Sequence, residues 1–150
     1  MTLKRPESVL VVLYDQHHQV LVMQRDDDAD FWQSVTGTIE ASEQPIQTAY
    51  REVAEETGFV LQPQHHTIQN CRHINQFKIR SLWLHRYPKG TIFNQEHVFC
   101  AQIDSQQIVQ LTEHTAYQWM SKLDAIEKVW SATNADAIRR FVPEPKVSHR

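Results

Sequence analysis

A chain of 150 residues is the size of one ordinary domain with a substantial core and is too short to suggest two. Hydrophobic residues at 41%, charged residues at 22% and a net charge of −3 exclude the strongly basic surface of a polyanion binder. No apolar run approaches the roughly 20 residues that span a bilayer, and SVLVVLY is short for a signal segment. The two cysteines, Cys71 and Cys100, are far apart in sequence and outside any Cys-x-x-Cys pattern. Two buried free thiols suit a reducing compartment, a disulfide between them being the alternative. The expectation is a single domain over residues 1–150, cytoplasmic, with neither nucleic acid nor membrane as partner and with its oligomeric state left open.

In chain order, SVLVVLY (8–14) reads as a strand buried on both faces, DQHHQ as a turn, and VLVMQR as the returning strand. The polar loop DDDAD leads into FWQSVTG, a third strand ending at Gly37. A helix follows, with Ser42 as N-cap, Pro45 in the first turn and Gly58 in the left-handed position after its end. Ile46, Ala49, Tyr50 and Val53 fall at helical spacing and form the face expected to pack on a sheet. FVLQ, HTIQNC, SLWLHRY and HVFCAQI read as further short strands and AYQWM as the last. Residues 121–142 read as one or two helices before the tail PEPKVSHR. Trp83 and Trp119 are expected in the core, Trp32 at a pocket entrance. The order implies an α/β fold, a mixed sheet with helices on its faces.

Arg51-Glu52-Val53-Ala54-Glu55-Glu56 sets three carboxylates on little more than one turn. At about 100° per residue Glu52 and Glu56 share a face, with Glu55 beside them. Like charges at i and i+4 repel by a few tenths of a kcal/mol, and a hard divalent cation reverses that sign. A Glu-rich helix face is ordinarily solvated surface; the spacing around it decides otherwise. Gly37, five residues, Glu43, seven residues, Arg51-Glu52-Val53, one residue, Glu55-Glu56, one residue and Gly58-Phe59 match the box of the Nudix hydrolases at its fixed positions.

That resemblance implies an α/β/α Nudix sandwich in which a loop–helix–loop holds divalent metal, Mg²⁺ with Mn²⁺ as a substitute. It also implies hydrolysis of a diphosphate bond in a nucleoside-diphosphate-like substrate, a reaction that asks for charge neutralisation and in-line geometry. Carried over by position, Glu52 and Glu56 are metal ligands, Glu55 is a neighbouring catalytic acid, Arg51 orients the glutamates and Glu43 supports the helix entry. Gly37 lets backbone come close to the metal.

Outside the box, KRPESVLVVLY, FWQSVTG, LHRYPKG and TEHTAYQWM resemble the branch of the family that removes pyrophosphate from a pterin triphosphate in folate biosynthesis. That likeness implies Glu113 as a further metal ligand and candidate general base. It also implies substrate contacts from Lys4, Arg25, Thr36, Phe77, Lys78, Ile79, Arg80 and Ser131. Lys4 and Arg25 suit a triphosphate, and Phe77 a flat bicyclic ring. Two alternatives stay open: a housecleaning hydrolase of (deoxy)nucleoside triphosphates, and a non-catalytic Nudix domain that senses a nucleotide. The aspartates at 26–30 lack the Gly and Glu that an EF-hand needs, the histidines lack a zinc pattern, and no P-loop is present.

Overall fold

A computed structural model describes residues 2–145; residues 146–150 of the expected tail lie outside the described residues. Seven strands form one mixed sheet: β1 (Glu7–Tyr14), β2 (Val20–Arg25), β3 (Trp32–Gln33), β4 (Val35–Thr38), β5 (Ile68–Lys78), β6 (Phe93–Gln102) and β7 (His114–Met120). The continuous path runs β3-β2-β1-β6-β5, with β4 added to β1 and β7 to β2. Only the β1–β6 ladder is parallel, in register from Glu7↔Gln95 to Tyr14↔Gln102. The other described pairs are antiparallel.

β1 lies at the centre, and its unbroken apolar run follows from burial on both faces. Val9, Val11 and Leu13 join the core beneath α1 (Pro45–Thr57), to which that helix contributes Ala49 and Val53. Leu10 and Val12 join the opposite core, closed by α2 (Lys122–Lys128) and α3 (Ala132–Phe141) through Ala125, Ala137 and Ile138. The α/β/α sandwich expected from the sequence is therefore present.

Five local expectations are corrected. The helix N-cap is Gln44 rather than Ser42, because Pro45 occupies the first helical position and forces the residue before it to be extended (φ −82°, ψ 153°). The Gln44 amide then donates to the Gln47 side chain at 2.8 Å. Ile46 is exposed, and the buried stripe begins one turn later at Ala49. FVLQ forms no strand, since Phe59 drops into the core as an anchor while Val60 faces solvent. Ser81–Arg86 is a 3₁₀ turn rather than a strand. FWQSVTG is broken at Ser34, whose amide donates to Asn134 Oδ1 (2.9 Å) instead of to a neighbouring strand, while Asn134 Nδ2 donates to Ser34 Oγ (2.9 Å). That grip by α3 lets β3 pair with β2 and β4 with β1.

Gly58 ends α1 in the left-handed region (φ 80°), its amide donating to Ala54 O at 3.0 Å, as the sequence predicts. Cys71 and Cys100 are free thiols, half-buried rather than buried, and they meet side by side across β5 and β6 despite their separation in sequence. No helix among the described residues is long and apolar enough to cross a membrane.

Candidate active site

A cleft of about 1010 Å³ opens across the ends of β1, β4 and β6. Its lining includes Glu52, Glu55 and Glu56 from α1, Thr36 and Gly37 from β4, and Glu113 and His114 at the start of β7. Lys4, Arg25, Phe77, Lys78, Ile79, Arg80 and Ser131 line it too, so every residue the sequence singled out for substrate faces one space. Arg51 stands behind that wall.

Arg51 organises the acids. Its Nε and one terminal nitrogen donate to the two Glu43 oxygens at 2.7 and 2.9 Å, the other terminal nitrogen to Glu52 Oε1 (2.7 Å) and Glu55 Oε2 (3.2 Å), and Thr38 O accepts at 3.1 Å. This guanidinium holds the Glu43 carboxyl down to a pKa of about 2, helped by the Glu40 amide and the Thr48 hydroxyl. Glu43 is thus the fixed anchor of the clamp, as its position in the box implies. Gly37 earns its place through Glu52: a Cβ at residue 37 would overlap the Glu52 carboxyl and Cγ. What comes close to this backbone is a carboxylate.

Glu56 is 4% exposed, and its Oε1 has no hydrogen-bond partner. Burial pushes its pKa well above the ordinary value, and the neighbouring Glu52 carboxyl pushes it further; the Thr36 amide acts the other way. Burial also raises Glu52, against the pull of Arg51. His114 Nε2 stands 3.9 Å from Glu56 Oε1 and 3.0 Å from Gln33 Nε2, and burial lowers the histidine pKa, which disfavours a charged ring beside Glu56. A buried carboxylate with an idle oxygen, close to a second carboxylate, fits a hard divalent cation. Among the described residues no three acidic, histidine or cysteine side chains close such a site as they stand. Glu52 is turned to Arg51, Glu55 is exposed, and Glu113 sits on the opposite rim, its charge felt at Glu56.

The other end of the cleft is flat and cationic. The Phe31 and Trp130 rings stack at 4.7 Å with 16° between their planes, and Trp83 meets Phe31 at 5.9 Å. Arg80 lies between Trp83 (4.7 Å) and Trp130 (4.8 Å), and Arg25 sits 4.9 Å from Trp83. The acidic loop secures these cations: Asp27 takes Arg25 through two bonds of 2.7 and 2.8 Å, and Asp28 pairs with Arg80 at 3.5 Å. Lys4 has its pKa lowered by partial burial and then by Arg86 and Arg25, the mark of a cation crowded among cations. Sequence reasoning placed Trp83 in the core and Trp32 at the entrance. Trp83 instead lines the cleft, while Trp32 packs into the core beside α2 and α3, under Lys128. Trp119 packs against the core as expected. Phe31, Trp130 and the role of Asp27 and Asp28 were missed, because their partners come from distant loops.

Comparison with known proteins agrees with this geometry. The NUDIX domain model matches residues 4–143. The chain belongs to the Nudix family. It is 42% identical over 142 residues to the dihydroneopterin triphosphate diphosphatase of Escherichia coli (strain K12), covering 93% of each chain. The protein of the same name from Haemophilus influenzae is 37% identical, over 95% of this chain and 90% of that one. The solved structure of the E. coli dihydroneopterin triphosphate pyrophosphohydrolase superposes with a TM-score of 0.88 at 40% identity, covering 95% of this chain and 98% of that one. Within this Nudix fold the box is the segment from Gly37 to Phe59, with Glu52 and Glu56 brought together on α1 and Arg51 behind them.

Proposed function

We infer that this Nudix protein hydrolyses 7,8-dihydroneopterin 3′-triphosphate to the monophosphate and pyrophosphate, as a Mg²⁺-dependent enzyme of folate biosynthesis acting in the cytoplasm, with the whole chain as one domain. The observation that carries the reading is the continuity of the cleft. One end offers paired carboxylates for a cation and the other a flat aromatic and guanidinium wall, as a base on a polyphosphate requires. The relatives named for that substrate select the pterin among such bases.

Glu52 and Glu56, joined by Glu113 from the facing rim, are the cation's ligands in this reading. A divalent cation held there would neutralise phosphate charge and acidify water. Mn²⁺ offers the same preference for hard oxygen ligands. Arg51 fixes the rotamer of Glu52 and leaves Glu55 at the cleft edge. Glu113, exposed at the mouth, accepts the proton of the attacking water. Lys4, Arg25 and Arg80 supply fixed positive charge along the phosphates, and Thr36 and Ser131 supply hydroxyls. Phe77, Lys78 and Ile79 form the wall leading to Arg80.

A nucleoside triphosphate hydrolase would share the acidic end and differ only at the base end. Comparing kcat/KM for dihydroneopterin triphosphate, dATP and 8-oxo-dGTP separates the two. We expect the pterin to lead by tenfold or more, about 1.4 kcal/mol of transition-state discrimination; a purine preferred by that margin would overturn the assignment. A nucleotide sensor without catalysis has no use for a buried, partnerless Glu56 oxygen, and the domain is read as an enzyme.

A further inference from the structure

One buried acid in the cleft belongs to neither the metal end nor the phosphate path. Glu96, on β6, is 6% exposed and lines the cleft beside Asn94 and Ser8. An interior carboxylate is costly unless its partners favour the charged form. Those partners are in place. His73 Nε2 lies 2.8 Å from Asn75 Oδ1, and Asn75 Nδ2 donates to Glu96 Oε1 at 3.1 Å. The histidine bond fixes which way the amide faces, so Glu96 meets a donor and acts as an acceptor. The Thr133 hydroxyl on α3 is near enough to favour its charged form as well. Burial raises the Glu96 pKa, and both groups work against that rise. The relay therefore holds a hydrogen-bond acceptor at the cleft wall, close to the α3 residues that approach Trp130.

A 2-amino-4-oxo pyrimidine ring, the recognition half of a pterin, presents two adjacent donors, the ring N3–H and the 2-amino group. A carboxylate with two acceptor oxygens complements that edge. Adenine presents one donor beside one acceptor and does not. Guanine presents the same donor pair as the pterin.

Resting on the pterin reading above, we propose that Glu96 is the specificity-determining residue of this cleft, its carboxylate accepting from the paired N–H groups of a 2-amino-4-oxo pyrimidine ring. Hydrolysis of guanine nucleotides is then an expected minor activity, and adenine nucleotides are disfavoured by a mismatched edge.

The test uses the full chain and 7,8-dihydroneopterin, which carries no phosphate and so reports on the ring alone. Glu96→Gln is expected to weaken its binding by about 10²-fold, since a charge-assisted bidentate contact is replaced by one matched and one mismatched bond. The variant should raise KM for dihydroneopterin triphosphate while kcat/KM for dATP stays within about twofold of the unmodified protein, on the reasoning that adenine gains nothing from the carboxylate. Unchanged binding of dihydroneopterin, or an equal loss for dATP, would overturn the proposal. Should the variant fail to fold, the unmodified protein still decides. The 2-oxo analogue of dihydroneopterin, which points an acceptor at Glu96, should bind about 10²-fold more weakly than the 2-amino ring, and equal binding would sink the idea. Failure of the functional reading looks different: the unmodified protein would then bind the ring in this manner yet release no pyrophosphate from its triphosphate.

Discussion

Glu56→Gln is expected to lower kcat by about 10³-fold or more, roughly 4 kcal/mol of barrier, while the metal-free protein melts no lower than before. Both halves follow from one oxygen. Glu56 Oε1 is buried without a partner, so under the proposed function the carboxylate serves a cation and, without one, is a burden on the fold. Because burial and Glu52 raise its folded pKa, Glu56 adds to stability below its unfolded pKa and loses that contribution as pH rises through the folded value. Metal-free unmodified protein should therefore lose stability toward alkaline pH where the Gln variant does not. Added Mg²⁺ should stabilise the unmodified protein alone, by about 2.7 kcal/mol when Mg²⁺ exceeds Kd a hundredfold, and so raise its melting temperature. Melts in chelator and in Mg²⁺ at pH 5 and pH 8 check the sign, and near-normal hydrolysis by the variant would refute the ligand role.

Arg51→Ala should damage both stability and turnover. The side chain bonds Glu43, Glu52, Glu55 and Thr38 O at once. Its loss leaves two largely enclosed carboxylates, Glu43 and Glu52, uncompensated beside Glu56. Breaking such a cluster should cost about 2–4 kcal/mol, near the lower end for a buried ion pair because Arg51 is partly solvated. For a domain of this size that corresponds to a melting-point drop of roughly 5–15 °C. Turnover should fall about 10²-fold as Glu52 loses its fixed orientation, the scale seen when groups that orient a metal ligand are removed. The acid limb supplies a second reading. Glu43, held at about 2 by Arg51, contributes stability that is present above its unfolded pKa and lost as pH falls through about 2. Without Arg51 that contribution disappears, and acid unfolding should begin at higher pH. Arg51→Lys should not restore function, since an ammonium cannot grip both Glu43 oxygens and Glu52 in one plane.

The acidic end of the cleft was legible in the sequence because it is local. Gly37, Glu43, Arg51, Glu52 and Glu56 fall within one loop–helix–loop, where helical periodicity alone brings the acids together. The strands β1, β2 and β7 were legible for a similar reason, their apolar runs carrying their own evidence. The base end was not. Phe31 precedes β3, Trp83 sits in a 3₁₀ turn, Trp130 lies between α2 and α3, and Arg80 threads between rings that no short window contains. The same long-range grip split FWQSVTG, since the partner of Ser34 is Asn134, a hundred residues on. Pro45 did carry a local signal for the true N-cap: an extended residue must precede it, and Gln44 is that residue. The half-buried pair Cys71–Cys100 shows the converse, sequence distance hiding neighbours across β5 and β6.

The direct test of the whole account follows phosphorus through the reaction. Purified protein is given dihydroneopterin triphosphate, once with millimolar Mg²⁺ and once with chelator, and the products are read by ³¹P NMR. The account predicts pyrophosphate and dihydroneopterin monophosphate in equal amounts with Mg²⁺ and intact triphosphate without it. Release of orthophosphate, undiminished cleavage in chelator, or no cleavage with Mg²⁺ present would contradict it.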